Sequence, residues 1–157
     1  ERYFDLQEIH LRRLVDAGRM QLKRGVLELL DWLDAHHIKR AIATSSSRAR
    51  TDHHLGLMGI AQRFEHIVTR DDVKRGKPNP DPFLTAANKL GVEPAHCLVL
   101  EDSYNGIRAA HAARMRVIMV PDLLDPTDEI RGLAHRVVTS LHDVIAFLDA
   151  QRSPRAA

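Results

Sequence analysis

The chain has 157 residues, of which 44% are apolar and 28% charged, a composition that suits one globular domain with a real hydrophobic core. Its formal charge is only +2, and the Arg and Lys residues are spread along the chain, which excludes the basic stripe of a nucleic-acid binder. No apolar run approaches the roughly 20 residues of a membrane span, no signal peptide is visible, and the single Cys97 rules out an intrachain disulfide, which fits a reducing, cytoplasmic setting.

From Tyr3 to Gly18, Phe4, Ile9, Leu11, Leu14 and Val15 recur at helical spacing. A second helix is predicted over 26–37, where Leu27, Leu30 and Leu33 form an apolar face and Trp32 reads as core. Ala41-Ile42-Ala43 reads as a short buried strand running into Thr44-Ser45-Ser46. A helix is expected over 47–58 and a strand at Ile67-Val68. The loop 76–82, rich in proline, leads to a helix over 82–90 that stops at Gly91. Cys97 to Leu100 is a strand, followed by Glu101-Asp102-Ser103 and a helix over 104–113. Strands at 117–120 and 136–138 and a closing helix at 140–150 complete the pattern, with a disordered tail predicted at 151–157.

Short apolar strands alternating with helices predict an α/β fold, with a parallel sheet covered by helices on both faces. Right-handed crossovers bring every strand's C-terminal end to one edge, where ligands bind. Three polar clusters fall at or near that edge.

Thr44-Ser45-Ser46 offers hydroxyls and backbone N–H groups at a helix start, suited to phosphate oxygens; it equally suits a simple N-cap. Lys77, in Gly76-Lys77-Pro78-Asn79-Pro80, is either a solvated loop lysine or a point charge held against phosphate by a stiffened loop. Glu101 and Asp102 are adjacent carboxylates directly after a buried strand. They repel each other and lose hydration there, which a divalent cation would offset, and Mg²⁺ favours such a set. The ten histidines show no zinc-ligand spacing, and Cys97 reads as core.

Taken in order, these clusters resemble the haloacid dehalogenase-like hydrolase superfamily, in its phosphatase and β-phosphoglucomutase-like branch. The matching segments are Ala41-Ile42-Ala43-Thr44-Ser45-Ser46, Gly76-Lys77-Pro78-Asn79-Pro80-Asp81-Pro82-Phe83 and Val99-Leu100-Glu101-Asp102-Ser103-Tyr104-Asn105-Gly106-Ile107, with Gly25-Val26-Leu27-Glu28-Leu29-Leu30 ahead of them. The likeness covers residues 20–150 or so.

The resemblance implies a Rossmann-like core and a role for each position. Thr44 would be the phosphate-binding hydroxyl, with Ser45 adding backbone contacts. Lys77 would neutralise phosphate and nucleophile. Glu101 and Asp102 would hold Mg²⁺, Asp102 more directly, and Arg48 would stand where substrate contacts occur in relatives. The implied reaction is Mg²⁺-dependent hydrolysis of a small phosphorylated metabolite, such as a sugar phosphate, through an aspartyl-phosphate. The alternatives are mutase-type isomerisation and a non-catalytic phosphate-binding module. No nucleic acid or membrane partner is implied, and oligomeric state is left open.

One departure stands out. The family's nucleophile belongs to an Asp-x-Asp motif on the first strand, and no Asp-x-Asp occurs in this chain. With Glu1 in place of an initiator Met, the expectation is a truncated chain. On that expectation residues 1–20 are the remnant of a helical cap, 21–150 a core lacking its first strand, and 151–157 the tail. The absent strand would lie between those ending at Thr44 and Glu101.

Overall fold

Among the described residues, five short strands pair in parallel. They form two small sheets, not one. β1 (Ala41–Ala43) pairs with β2 (His66–Val68), with Ile42 opposite Ile67. β3 (Leu98–Glu101), β4 (Arg116–Met119) and β5 (Arg136–Val137) form the second sheet, with Val99 opposite Val117 and Ile118 opposite Arg136. No ladder joins β1 to β3. This description comes from a computed structural model and covers residues 21–152. The predicted helix at 3–18, the cap remnant and the end of the tail lie outside it.

Helices cover both faces of each sheet. They are α1 (Val26–Ala35), α2 (Arg48–Met58), α3 (Asp81–Leu90), α4 (Tyr104–Ala112), α5 (Asp128–Leu133) and α6 (Leu141–Arg152). The two-residue period of β4 sorts its side chains. Val117 and Met119 join a core with Ile107, Ala110 and Ile130 of α4 and α5, whereas Ile118 and Val120 face Leu29, Val144 and Phe147 of α1 and α6. In the smaller sheet, Ile42 and Ile67 pack with Leu30, Leu55 and Ile60. α1 thus reaches both sheets, through Leu29 to one and Leu30 to the other. On the opposite side Phe83 and Ala87 of α3 share a core with Val99 of β3, against which Ala43 of β1 also packs.

Most predicted elements stand, with shifted boundaries. Leu98–Glu101 replaces 97–100, because the ladder runs one residue further and places Glu101 opposite Met119. α6 continues to Arg152, so the first two residues of the predicted tail are helical. α5 was not predicted. It has six residues and buries only Ile130, too short to show periodicity, and its start is set by the Thr127 side chain accepting from Ile130 N–H. Trp32 is half-buried and not deep core. Its ring stacks on His36 with centroids 3.9 Å apart, and its indole N–H donates to Asp149 Oδ1 at 2.8 Å.

Candidate active site

A cavity of about 600 Å³ opens at the C-terminal ends of the strands, between the two sheets, within the size range of small-molecule sites. It is lined by Ala43, Thr44 and Ser45 after β1, Lys77, and Leu100 to Ser103 after β3, with Lys23, Asn105, Val120 and Leu141 around the rim. The three polar clusters therefore converge. Among the described residues no histidine lines the cavity.

Lys77 is the hinge of this arrangement. Its Nζ donates to Ala43 O at 2.9 Å and to Glu101 Oε1, and it lies 4.7 Å from the centroid of the Phe83 ring. The parallel ladder explains the first contact. Thr44 N–H donates to Val68 O, so the alternate residue Ala43 turns its carbonyl away from β2, toward the gap. Lys77 fills that position and ties β1 to β3. Side chains of Lys77 and Glu101 are only 9% and 8% exposed. An ion pair this buried holds only when its remaining polar capacity is met, and here it is. Glu101 Oε2 accepts from Ser103 Oγ at 2.9 Å and Ser103 N–H at 3.3 Å. Ser103 Oγ in turn caps α4 by accepting from Gly106 N–H at 3.0 Å.

The phosphate candidates are placed differently. Thr44 Oγ1 accepts from Ser46 N–H at 3.1 Å, leaving its own proton available to an acceptor in the cavity. Ser45 is exposed on the cavity wall, and among the described residues its N–H makes no hydrogen bond. The turn is buttressed from behind. Arg70 N–H donates to Ser46 O at 3.1 Å, and Arg48 N–H to Asp71 Oδ2 at 2.7 Å.

Arg48 does not line the cavity. Its guanidinium reaches Ile67 O and Asp72 Oδ2, each at 2.8 Å. Asp72 also accepts from Thr69 N–H and Thr69 Oγ1, both at 2.7 Å. The Thr69 backbone N–H, then its hydroxyl, then the Arg48 charge hold the Asp72 carboxyl below its ordinary range. As placed, Arg48 clamps the loop after β2 to the start of α2.

Glu101 and Asp102 divide in the same way. Glu101 is occupied on both oxygens by Lys77 and Ser103. Asp102 is exposed at the cavity, and among the described residues no hydrogen bond or ion pair engages it. Its carboxylate fits a hard cation that takes one or two protein carboxylates and completes its shell with water and phosphate. Among the described residues no set of three or more Asp, Glu, His or Cys gathers in one place.

Sequence reasoning missed Lys23, Asn105, Ser103's hold on Glu101, and Gly106. A Cβ on Gly106 would lie 2.0 Å from Glu101 Oε2. Only the bare α-carbon lets that carboxylate lie over the start of α4. The Gly at this place was visible, but its reason is a contact that no local pattern shows.

Residues 5–120 match the protein family described as haloacid dehalogenase-like hydrolase. The chain belongs to that family. Among curated relatives, the fructose-1-phosphate phosphatase YqaB of Escherichia coli (strain K12) is 38% identical over 113 residues, covering 69% of this chain and 60% of that protein. Among solved structures, the haloacid dehalogenase-like protein ATU0790 of Agrobacterium tumefaciens superposes with a TM-score of 0.82 at 32% identity, over 95% of this chain and 69% of that one. The β-phosphoglucomutase of Clostridium difficile superposes with a TM-score of 0.71 at 27% identity, over 83% and 56% of the two chains. The phosphatase and phosphoglucomutase branch of the family is thus the one this chain is close to. The chain spans between 32% and 64% of the length of the first curated relatives it matches.

Proposed function

We propose that the cavity binds the phosphoryl group of a small phosphorylated metabolite, a sugar phosphate in chemical class, for Mg²⁺-dependent phosphoryl transfer to water. The observation that carries this is the buried ammonium of Lys77, fixed by Ala43 O and Glu101 beside the hydroxyl of Thr44 and the open carboxylate of Asp102. Such chemistry depends mainly on positioning and on neutralising charge on the transferring group.

In this reading the Thr44 hydroxyl and the Ser45 N–H hold phosphate oxygens, and Lys77 balances their charge. Glu101 acts through Lys77, keeping its ammonium in one place. Asp102 is the direct Mg²⁺ ligand, and the cation would supply further charge neutralisation at the phosphoryl oxygens. Likeness to a fructose-1-phosphate phosphatase supports a sugar phosphate as substrate.

The nucleophile is not among these groups, since Glu101 is held by Lys77 and Ser103, and Asp102 is assigned to the cation. The resemblance implies an Asp from an Asp-x-Asp motif, which this chain does not contain. We infer that these 157 residues bind phosphate but do not turn it over alone, because none of the groups at the site is free to act as the nucleophile. An assay of the chain against a phosphate-ester panel, with and without Mg²⁺, tests this. The expected result is no turnover with measurable phosphate binding. Robust turnover would overturn the inference of inactivity, and failure to bind phosphate would overturn the site assignment. In any form of the protein that does turn over, product analysis with glucose 1-phosphate separates hydrolysis from isomerisation.

A further inference from the structure

We infer that Lys23 is a specificity-determining residue that recognises a second anionic group on the phosphorylated substrate, an inference that rests on the phosphate-site reading above. Among the described residues, four charged side chains line the cavity: Lys23, Lys77, Glu101 and Asp102. Lys77 and Glu101 neutralise each other within a buried pair. Asp102 is given to the divalent cation. Lys23 remains as a positive charge that the phosphoryl site does not use.

Its setting suits a substrate contact. The backbone of Lys23 is held in the turn before α1, where its carbonyl accepts from Val26 N–H at 3.2 Å. The same turn is seated by Gly25, at φ +92°, a backbone conformation that residues with a side chain rarely adopt. A Cβ there would meet Leu141 Cβ at 3.0 Å, and Leu141 is itself a cavity wall. The backbone is anchored, while the ammonium is held by an ion pair open to water.

Lys23 Nζ lies 3.4 Å from Asp122 Oδ1, with side chains 40% and 50% exposed. Asp122 follows the end of β4 and is not a cavity wall. An ion pair so open to water is worth little, so a substrate anion can displace Asp122 at small cost. Lys77 differs in every respect, being buried, bonded twice and fixed. The two lysines therefore divide the work: Lys77 serves the phosphoryl group, and Lys23 the far end of the substrate. A compact, flexible ammonium accepts either a second phosphate or a carboxylate. The substrate class is a phosphoester carrying another anionic group.

Calorimetric titration of the 157-residue chain in Mg²⁺ buffer tests this with four probes: inorganic phosphate, fructose 1-phosphate, fructose 1,6-bisphosphate and 3-phosphoglycerate. The expected result is that the bisphosphate, the phosphoglycerate or both bind more tightly than the monophosphate, and the member preferred identifies the second anion. Lys23→Gln should reduce that preference roughly three- to tenfold. Lys23→Arg should keep it, and Asp122→Asn, which frees the ammonium, should raise it. Equal affinities in the unmodified chain, or a preference that survives Lys23→Gln, would overturn the assignment of Lys23 alone. Absence of binding to every probe, inorganic phosphate included, would overturn the phosphate site and this inference with it.

Discussion

Gly106 and Glu101 are fitted to each other: the carboxylate of Glu101 occupies the space where a side chain at 106 would begin, 2.0 Å from the Cβ position. The carboxylate cannot simply swing aside, because Lys77 holds one oxygen and Ser103 the other. Gly106→Ala should therefore displace Glu101 and loosen Lys77. Overpacking of this kind costs about 1–3 kcal/mol, to be read from the urea midpoint. Gly56→Ala is the contrasting substitution. Gly56 lies inside α2 with nothing within 4 Å of its Cβ position, so alanine there should raise stability by about 0.5–1 kcal/mol.

The buried pair of Lys77 and Glu101 makes a sharper prediction. Removing one partner strands the other charge between the two sheets. Lys77→Met or Glu101→Gln alone should destabilise by about 3–5 kcal/mol, while the double variant should recover part of that loss. Equilibrium unfolding of the four proteins gives the coupling. Additive losses would show that the two side chains do not act as a pair.

Asp102 should behave in the opposite way. It is exposed and engages no partner among the described residues, so Asp102→Asn should leave stability within about 0.5 kcal/mol. Phosphate binding in Mg²⁺ buffer should nevertheless fall at least tenfold, an estimate of about 1.4 kcal/mol from the loss of a charged ligand. Unfolding and calorimetry on the same preparation separate the two effects.

Acid should weaken the loop clamp behind Thr44. The Asp72 carboxyl titrates below its ordinary range in the folded chain, chiefly because Thr69 N–H donates to it. Its stabilising contribution is thus complete above the unfolded value of about 3.9. That contribution is lost as pH falls through the lower folded value. Asp143 acts in the same sense, held low first by the Thr139 hydroxyl. Thermal unfolding from pH 6 down to 2.5 should show the decline, and Asp72→Asn should show less of it. Arg48→Ala should also lower the unfolding temperature, since its contacts are with Ile67 O, Asp72 and Asp52.

What could be read from the sequence follows from which interactions are local. Cys97 to Leu100 announces a buried strand by continuous apolarity, and Ser103 announces a helix start by its capping chemistry. The convergence of Thr44, Lys77 and Asp102 followed from strand ends sharing one edge. The short α5 was not legible, because one buried Ile130 makes no period. Nor was the separate duty of Glu101. Adjacent carboxylates look alike in sequence, and only the arrival of Lys77 from a distant loop commits one of them. Lys23 was passed over for the same reason, being one more basic residue until the fold brings it to the cavity.

The most direct test of the site is titration of inorganic phosphate into the chain, with and without Mg²⁺, repeated for Lys77→Met. The arrangement of Thr44, Lys77 and Asp102 predicts one phosphate per chain, tighter binding when Mg²⁺ is present, and loss of binding in Lys77→Met while that variant is still folded by circular dichroism. Phosphate binding indifferent to both Mg²⁺ and Lys77, or no binding by the unmodified chain, would contradict it.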